Sequence, residues 1–231
     1  MHFLLVHSPV VGPTTWSPVA NVLRERGHVV DGPSLVDAAV LNPPSPRLLV
    51  QRAAKSVTAG PDEVITVVTH SNAGIFGPAI GRALSPRQVL YIFVDAPIPP
   101  SQGTAEIAPP EFLAHLREIA VDGLLPPWTE WWDEADVTPM LPADQQLRDA
   151  LIAEQPRLPL SYYEQTIYMP EGWDEQPCAY IYFGPPYDDV ASELGQRGWA
   201  IRHVPGLHLN AVIAPDAVAD AIVDVVTELQ P

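Results

Sequence analysis

One stretch of this chain joins a buried strand, a tight turn and a helix in a pattern that few folds accommodate. The β-branched run 64–68 leads into Thr-His-Ser-Asn-Ala-Gly, and a helix-compatible segment follows. This order is typical of a nucleophile elbow, in which a sharp turn raises one serine hydroxyl above a parallel sheet. Ser71 is therefore the candidate nucleophile. The usual form, Gly-x-Ser-x-Gly, is degenerate here, because the small positions are Thr69 and Ala73, with Gly74 one place later.

The rest of the chain alternates short apolar runs with helical patterns. Such alternation of buried strands and helices predicts an α/β fold, with a mostly parallel sheet covered by helices on both faces. The predicted strands are 3–6, 28–30, 64–68, 88–94, 178–183 and 199–204. The predicted helices are 17–26, 47–59, 74–84, 190–197 and 215–229, and residues 32–47 are irregular.

Residues 96–177 interrupt this alternation. They are rich in proline and carry helix-like patterns near 110–121 and 143–155. An insertion of this kind in a compact α/β domain predicts a lid. Residues 1–95 and 178–231 then form the core of one domain. We predict that rings of the lid line an apolar or partly aromatic substrate pocket, although the same rings could simply attach it to the core. These rings are Trp128, Trp131, Trp132 and Tyr163.

A histidine follows at a place where it can serve Ser71. His208 lies in a loop after the last predicted strand and before the closing helix. An unactivated serine is a poor nucleophile, so an imidazole must accept its proton and later return it to the leaving group. We predict that His208 is this base.

The acid that would orient His208 has three candidates. Asp188 and Asp189 follow the apolar run 178–183, where the penultimate predicted strand ends. Asp189 is also placed to cap the helix that follows, so Asp188 is the preferred acid. Asp95 ends another strand at the carboxyl edge of the sheet, where functional sites gather, and it is the alternative.

Composition excludes several classes of partner. The formal charge of −16 argues against nucleic acid and anionic membranes, because both require clustered lysine and arginine. We see no signal peptide and no transmembrane segment, which predicts a cytoplasmic protein. The single cysteine, Cys178, opens an apolar run and is expected in the core. No metal-ligand pattern and no phosphate-binding loop is present, so we expect no cofactor and no metal, a small-molecule substrate, and a monomer or homodimer.

The loop after the first predicted strand adds a further motif. The strand ends in His7, a short loop leads to Trp16, and an amphipathic helix runs on to Gly27. Together with the turn at Ser71 and the histidine loop 203–209, these features resemble those of the α/β-hydrolases. The likeness is to the small-lid group that includes plant methylesterases and hydroxynitrile lyases.

The resemblance covers residues 2–95 and 178–229 and extends to topology alone over the insertion. It implies the α/β-hydrolase fold and the order serine, acid, histidine along the chain. It also implies an oxyanion hole made from two backbone N–H donors, one of them on Asn72, the residue after the nucleophile. The other would come from Pro9, and proline has no N–H.

Two neighbours of Pro9 are candidates for the missing donor. The N–H of Val10 would substitute if the loop is longer than usual, or the hydroxyl of Ser8 would point into the pocket. Ser8 also stands where hydroxynitrile lyases carry a hydroxyl residue that acts in lyase chemistry. A purely structural role of Ser8 and Pro9 in shaping the loop stays open.

The sequence therefore predicts a serine hydrolase that cleaves an ester, thioester or lactone of a small, largely apolar molecule through an acyl-enzyme. Two alternatives remain. In the first, a lyase or cyclase-like enzyme uses the serine and histidine as a proton shuttle. In the second, the scaffold binds a ligand without catalysis, because fold alone does not determine function.

Overall fold

The computed structural model describes residues 1–85 and 87–230. Within these residues there are eight strands: β1 (His2–Val6), β2 (Val29–Asp31), β3 (Ile65–His70), β4 (Val89–Val94), β5 (Gly103–Glu106), β6 (Thr166–Met169), β7 (Cys178–Tyr182) and β8 (Ala200–His203). Six of them form one sheet in the order β2-β1-β3-β4-β7-β8, and all neighbours in it are parallel. The predicted parallel sheet is confirmed.

Ten helices are described, of which those outside residues 96–177 cover both faces of this sheet. They are α1 (Ser17–Glu25), α2 (Val36–Ala39), α3 (Pro46–Lys55), α4 (Gly77–Ala83), α5 (Pro110–Ile119), α6 (Glu134–Val137), α7 (Gln145–Ala153), α8 (Asp188–Gln196), α9 (Asn210–Ile213) and α10 (Pro215–Leu229). Phe3 and Leu5 of β1 pack with α1 and α10, whereas Leu4 and Val6 pack with α3, α4 and α8. This alternation follows from the two-residue period of a strand, which sends successive side chains to opposite faces.

Boundaries differ from the predicted ones mainly where the chain turns. The irregular segment 32–47 contains the short helix α2, and α3 ends at Lys55, earlier than predicted. The predicted helix 74–84 begins as a 3₁₀ segment, Ser71–Phe76, before α4. Gly74 lies in this segment, where an added Cβ would stand 2.5 Å from the carbonyl oxygen of Pro97. Glycine is needed there because the backbone of the turn lies in close contact with the loop that follows β4.

The insertion, residues 96–177, has little regular structure. β5 and β6 pair with each other in an antiparallel ribbon outside the main sheet. Helices α5, α6 and α7 are joined by short 3₁₀ turns, and α5 and α7 lie within the predicted helical patterns. Its core is largely aromatic, as the buried Trp128, Trp131, Tyr162, Tyr163 and Trp173 show.

Two further features bear on the predictions from composition. Cys178 is buried in β7, and burial raises the pKa of its thiol to about 12, so it is a neutral core residue as expected. In the part of the chain described here, no helix combines the length and the apolar character that a membrane crossing requires.

Candidate active site

The predicted reactive residues converge at the carboxyl edge of the sheet. Ser71 follows the last residue of β3, and Asp95 follows the last residue of β4. His70 and Val94, which precede them, are paired in the parallel register of the two strands. Parallel strands end at the same edge, so both side chains leave the sheet side by side, and the loop after β8 brings His208 between them.

Ser71, His208 and Asp95 form a continuous hydrogen-bonded chain. His208 Nε2 lies 2.9 Å from Ser71 Oγ, and His208 Nδ1 lies 2.6 Å from Asp95 Oδ2. The carboxylate oxygen accepts, so Nδ1 carries the proton and Nε2 is left as the acceptor for the serine hydroxyl. This tautomer is the one in which an imidazole can remove the proton of Ser71.

The Asp95 carboxylate is held on both of its oxygens. Oδ1 accepts the N–H of Phe183 at 3.0 Å while Oδ2 accepts from His208, and the residue is 2 % exposed. Its backbone adopts a φ of 46°, and its own N–H donates to Ile181 at 2.8 Å. A positive φ in a residue with a side chain is strained, and such strain clusters at functional sites.

Asp188, the preferred acid, is in a different place. Asp188 and Asp189 are exposed and lie in the first turn of α8, after an N-cap formed by Tyr187. Carboxylates there are stabilised by the positive end of the helix macrodipole. The preference for Asp188 is therefore corrected: the alternative, Asp95, takes the position against His208. The sequence could not distinguish the two acids, because β4, which Asp95 follows, and β7, which Asp188 follows, are neighbours in the sheet.

Ser71 lies in a strained turn, and the neighbouring His70 holds the loop that carries His208. Ser71 has a φ of 54°, the left-handed conformation expected of an elbow. The ring of His70 lies beneath, with its centroid 4.7 Å from that of His208, and its Nε2–H donates to the carbonyl oxygen of His208 at 2.9 Å. Burial, followed by the neighbouring His208, lowers the pKa of His70 well below its ordinary value. His70 is thus a neutral support for the His208 backbone.

The side chain and the backbone N–H of Asn72 have different surroundings. Its side chain is tied to the insertion, because Nδ2 donates to the carbonyl oxygen of Ile107 at 2.9 Å and Oδ1 accepts the hydroxyl of Tyr162 at 2.6 Å. Its backbone N–H has no acceptor among the described residues. That N–H is the donor that an elbow supplies to an oxyanion.

The loop after β1 turns sharply at Pro9 and Val10. The carbonyl oxygen of Ser8 accepts the N–H of Val11 at 3.1 Å and the ring N–H of His7 at 2.8 Å, which closes a tight turn with Pro9 and Val10 at its tip. Val10 lines the cavity above Ser71, and its N–H has no acceptor in the described part of the chain. Ser8 is 1 % exposed, and its hydroxyl is buried away from the cavity lining.

A cavity of about 630 Å³ opens above Ser71 and His208. All four aromatic residues predicted for the pocket line it, although Trp132 is 39 % exposed and the other three are buried. Its remaining walls are mostly apolar: Ile75, Pro97, Ile107, Pro109, Phe112, Met140, Pro185, Pro186, Tyr187 and Leu207. A site of this size and lining accommodates a small organic molecule.

Charges in the cavity wall are carboxylates. Glu106 and Asp136 contribute to the lining, and no lysine or arginine does so among the described residues. The part of the chain described here also contains no group of three histidine, cysteine or acidic side chains arranged to hold a metal ion.

Some residues near the site were not predicted. The centroid of the Tyr187 ring stacks 6.0 Å from that of His208, and the centroid of the Trp128 ring is also 6.0 Å from it. The one feature of the sequence that points to Tyr187 is its position in the proline-rich segment after β7. Glu154, at the end of α7, contacts the loop after β1, and nothing in the sequence could link two segments 140 residues apart.

Comparison with known proteins shows which solved structures share this fold. No protein-family model matches the chain, and no curated protein matches its sequence. An extracellular α/β-hydrolase from a Paenibacillus species is 17% identical and covers 97% of this chain and 98% of its own, with a TM-score of 0.73. A pyrethroid hydrolase is 15% identical, with coverage of 98% and 97% and a TM-score of 0.74.

A third solved structure, polyneuridine aldehyde esterase, is 16% identical, with coverage of 97% and 98% and a TM-score of 0.69. Sequence identities this low are evidence for the fold alone. The chain has the α/β-hydrolase fold, as the resemblance implied.

Proposed function

We propose that this protein is a serine hydrolase that cleaves an ester, thioester or lactone of a small, largely apolar molecule. One observation carries the proposal: Ser71, His208 and Asp95 are joined by hydrogen bonds of 2.9 and 2.6 Å, and Ser71 and His208 line a mostly apolar cavity. The names of the similar structures, which include an esterase and hydrolases, agree with it.

In the proposed reaction, Ser71 Oγ attacks the carbonyl carbon while its proton passes to His208 Nε2. The imidazolium that forms is stabilised by Asp95, 2.6 Å from Nδ1. His208 then returns the proton to the leaving oxygen or sulfur, and an acyl group remains on the serine. Water, activated by the same imidazole, attacks this acyl-enzyme and releases the acid.

Two backbone donors are available for the oxyanion. The N–H groups of Asn72 and Val10 are free of acceptors among the described residues, and both residues line the cavity together with Ser71. Donors placed where negative charge develops act in the transition state, and each contributes on the order of 10²–10³ in rate. With Val10 as the second donor, the proposed oxyanion hole does not depend on Pro9, which has no N–H.

The lining of the cavity supports an apolar substrate. Trp128, Trp131, Trp132 and Tyr163, which come from the insertion, face the serine together with aliphatic side chains. We therefore propose that the insertion, residues 96–177, acts as the lid of the site. The lyase alternative depended on the hydroxyl of Ser8, which is buried and does not reach the lining, so no observation favours it.

Labelling with a fluorophosphonate tests the proposal. The reagent requires an activated serine, so it should label the wild-type chain at Ser71, and Ser71→Ala should lose the label together with hydrolysis of p-nitrophenyl esters. The loss of hydrolysis is expected to be on the order of 10⁴ or more. Ser101→Ala, at an exposed serine of the insertion, is the matched control and should keep both. A wild-type chain that takes no label would refute the proposal.

A further inference from the structure

The end of helix α7 is attached to the loop that carries Val10. The Glu154 carboxylate accepts the backbone N–H of Thr14 at 2.9 Å on Oε2 and the hydroxyl of Thr14 at 2.6 Å on Oε1. Its side chain also passes over Gly12, where an added Cβ would overlap Glu154. Glu154 thus holds the loop both by a two-point hydrogen bond and by close packing.

A carboxylate at the C-terminal end of a helix destabilises that helix. The contact of Glu154 with Thr14 is therefore not explained by the stability of α7. Glu154 is the C-terminal cap of α7, where the macrodipole disfavours a negative charge. The next residue, Gln155, accepts the N–H and the hydroxyl of Thr129, each at 3.0 Å, in the turn that carries Trp128. One helix end therefore joins the loop of Val10 to the wall of the cavity beside His208.

A second attachment reaches the other donor. The hydroxyl of Tyr162 donates to Asn72 Oδ1 at 2.6 Å, and Asn72 Nδ2 donates to Ile107 at 2.9 Å. Tyr162 is 0 % exposed, and burial raises the pKa of its hydroxyl far above the ordinary value, so it stays a neutral donor. Asn72, whose backbone N–H is the other proposed oxyanion donor, is thus held through its own side chain by two segments of the insertion.

We infer that Glu154 and Tyr162 are positioning residues, which hold the N–H groups of Val10 and Asn72 where the oxyanion of the substrate forms. The inference rests on the proposed ester hydrolysis. Neither side chain is expected to touch the substrate, because neither lines the cavity among the described residues. The insertion then does more than enclose the substrate, since it sets the geometry of the groups that stabilise the transition state.

The inference makes a kinetic prediction that a purely structural role does not. A donor displaced by about 1 Å loses transition-state stabilisation while substrate binding is little changed, so kcat should fall and KM should hold. Tyr162→Phe removes only the hydroxyl and leaves Asn72 Oδ1 without its donor. We expect kcat for a p-nitrophenyl ester to fall about 10-fold or more, with KM within about twofold of wild type.

Tyr91→Phe is the matched control for this variant. Tyr91 is also a buried tyrosine, 4 % exposed in β4, and it does not line the cavity. An aryl boronic acid, which forms a tetrahedral adduct on the serine, supplies a second measurement. Its inhibition constant should rise with Tyr162→Phe by about the same factor as kcat/KM falls, and it should not change with Tyr91→Phe.

Glu154 is tested in a graded series. Glu154→Ala removes both acceptors and should lower kcat about 10-fold or more, and Glu154→Gln, which keeps one oxygen, should recover part of this loss. Thr14→Val deletes a single hydroxyl and serves if the other variants do not fold. Glu63→Gln is the control, because that carboxylate accepts the N–H of Gly60 at 2.7 Å on a loop remote from the cavity.

Distinct outcomes separate this inference from the proposed function. If wild-type protein hydrolyses esters but Tyr162→Phe and the Glu154 series match their controls in kcat, the inference is wrong and the hydrolase stands. A rise in KM with unchanged kcat would also overturn it, because these residues would then shape only the cavity. A wild-type chain that neither hydrolyses esters nor takes a fluorophosphonate label refutes the function itself.

Discussion

The parallel sheet and the insertion are built by different interactions. In the sheet, backbone hydrogen bonds set the register, and Ser71 and Asp95 each follow a strand by one residue. In the insertion, where β5 and β6 form the one backbone ribbon described, side chains also bind backbone carbonyls: Trp131 Nε1 donates to Pro126 at 2.8 Å, and Trp173 Nε1 donates to Pro100 at 3.0 Å. The sheet places the reacting groups, whereas the insertion forms the wall of the cavity through aromatic packing.

This difference teaches which part of the molecule tolerates change. A strand that slips by one residue sends every side chain to the other face, so the positions of Ser71 and Asp95 follow from the whole sheet. Aromatic contacts in the insertion are numerous and individually weak, at about 0.5–1.5 kcal/mol each. Substitutions in the sheet edge should therefore abolish the reaction, and substitutions in the cavity wall should adjust affinity.

The largest of the effects that test this difference is expected at the acid. Asp95→Asn can keep the bond from Phe183, but its amide would face His208 Nδ1 and favour the wrong tautomer. We expect kcat to fall on the order of 10³–10⁴. Asp188→Asn, at the exposed start of α8, should remain within about twofold of wild type. Equal losses in the two variants would contradict the assignment.

A second prediction concerns stability of the core. His7 accepts the N–H of Leu35 at 2.9 Å, and burial lowers the pKa of its ring to about 4. The unfolded chain takes up this proton near pH 6.5 and the folded chain only near pH 4. The free energy of unfolding should therefore decrease as the pH falls through this interval, by about 3 kcal/mol from His7.

Urea unfolding at several pH values measures this dependence. His7→Gln should be less stable than wild type at pH 7.5, yet it should lose less stability on acidification, because it has no proton to take up. The matched change His203→Gln, at an exposed position on β8, is the control for the loss of a histidine. Parallel slopes for wild type and His7→Gln would show that His7 is not the buried neutral group described.

The smallest effect is expected in the cavity wall. Trp132 is 39 % exposed and stacks on Phe112 and His115, with ring centroids 6.4 and 5.5 Å apart. Trp132→Ala should raise KM for a bulky aromatic ester about 3–10-fold while kcat stays within about twofold. Tyr168→Ala, an exposed ring of the insertion outside the cavity lining, should leave both constants unchanged. A large fall in kcat for Trp132→Ala would contradict the difference drawn between the sheet edge and the cavity wall.

Much of the core could be predicted because its signals are local. An apolar run bounded by turn residues predicts a strand wherever it stands, and the small residues around Ser71 are required by the turn itself. The turn at Ser71 and the loop that carries His208 lie where such signals predict them. The choice between Asp188 and Asp95 does not, because both follow strands, and which of them meets His208 depends on a loop that folds back across the sheet.

By itself, the sequence determined which segments become the six strands of the main sheet and the longer helices of the core, that the sheet is parallel, and that Ser71 is placed on a strained turn. These properties arise from side-chain periodicity and short-range sterics, which neighbouring residues encode. The tertiary structure alone decided that Asp95 meets His208, that Val10 rather than Ser8 faces the cavity, and that Glu154 and Tyr162 contact the loop and the elbow. Those contacts join residues about 90 to 140 positions apart, and only packing of the insertion on the sheet brings them together.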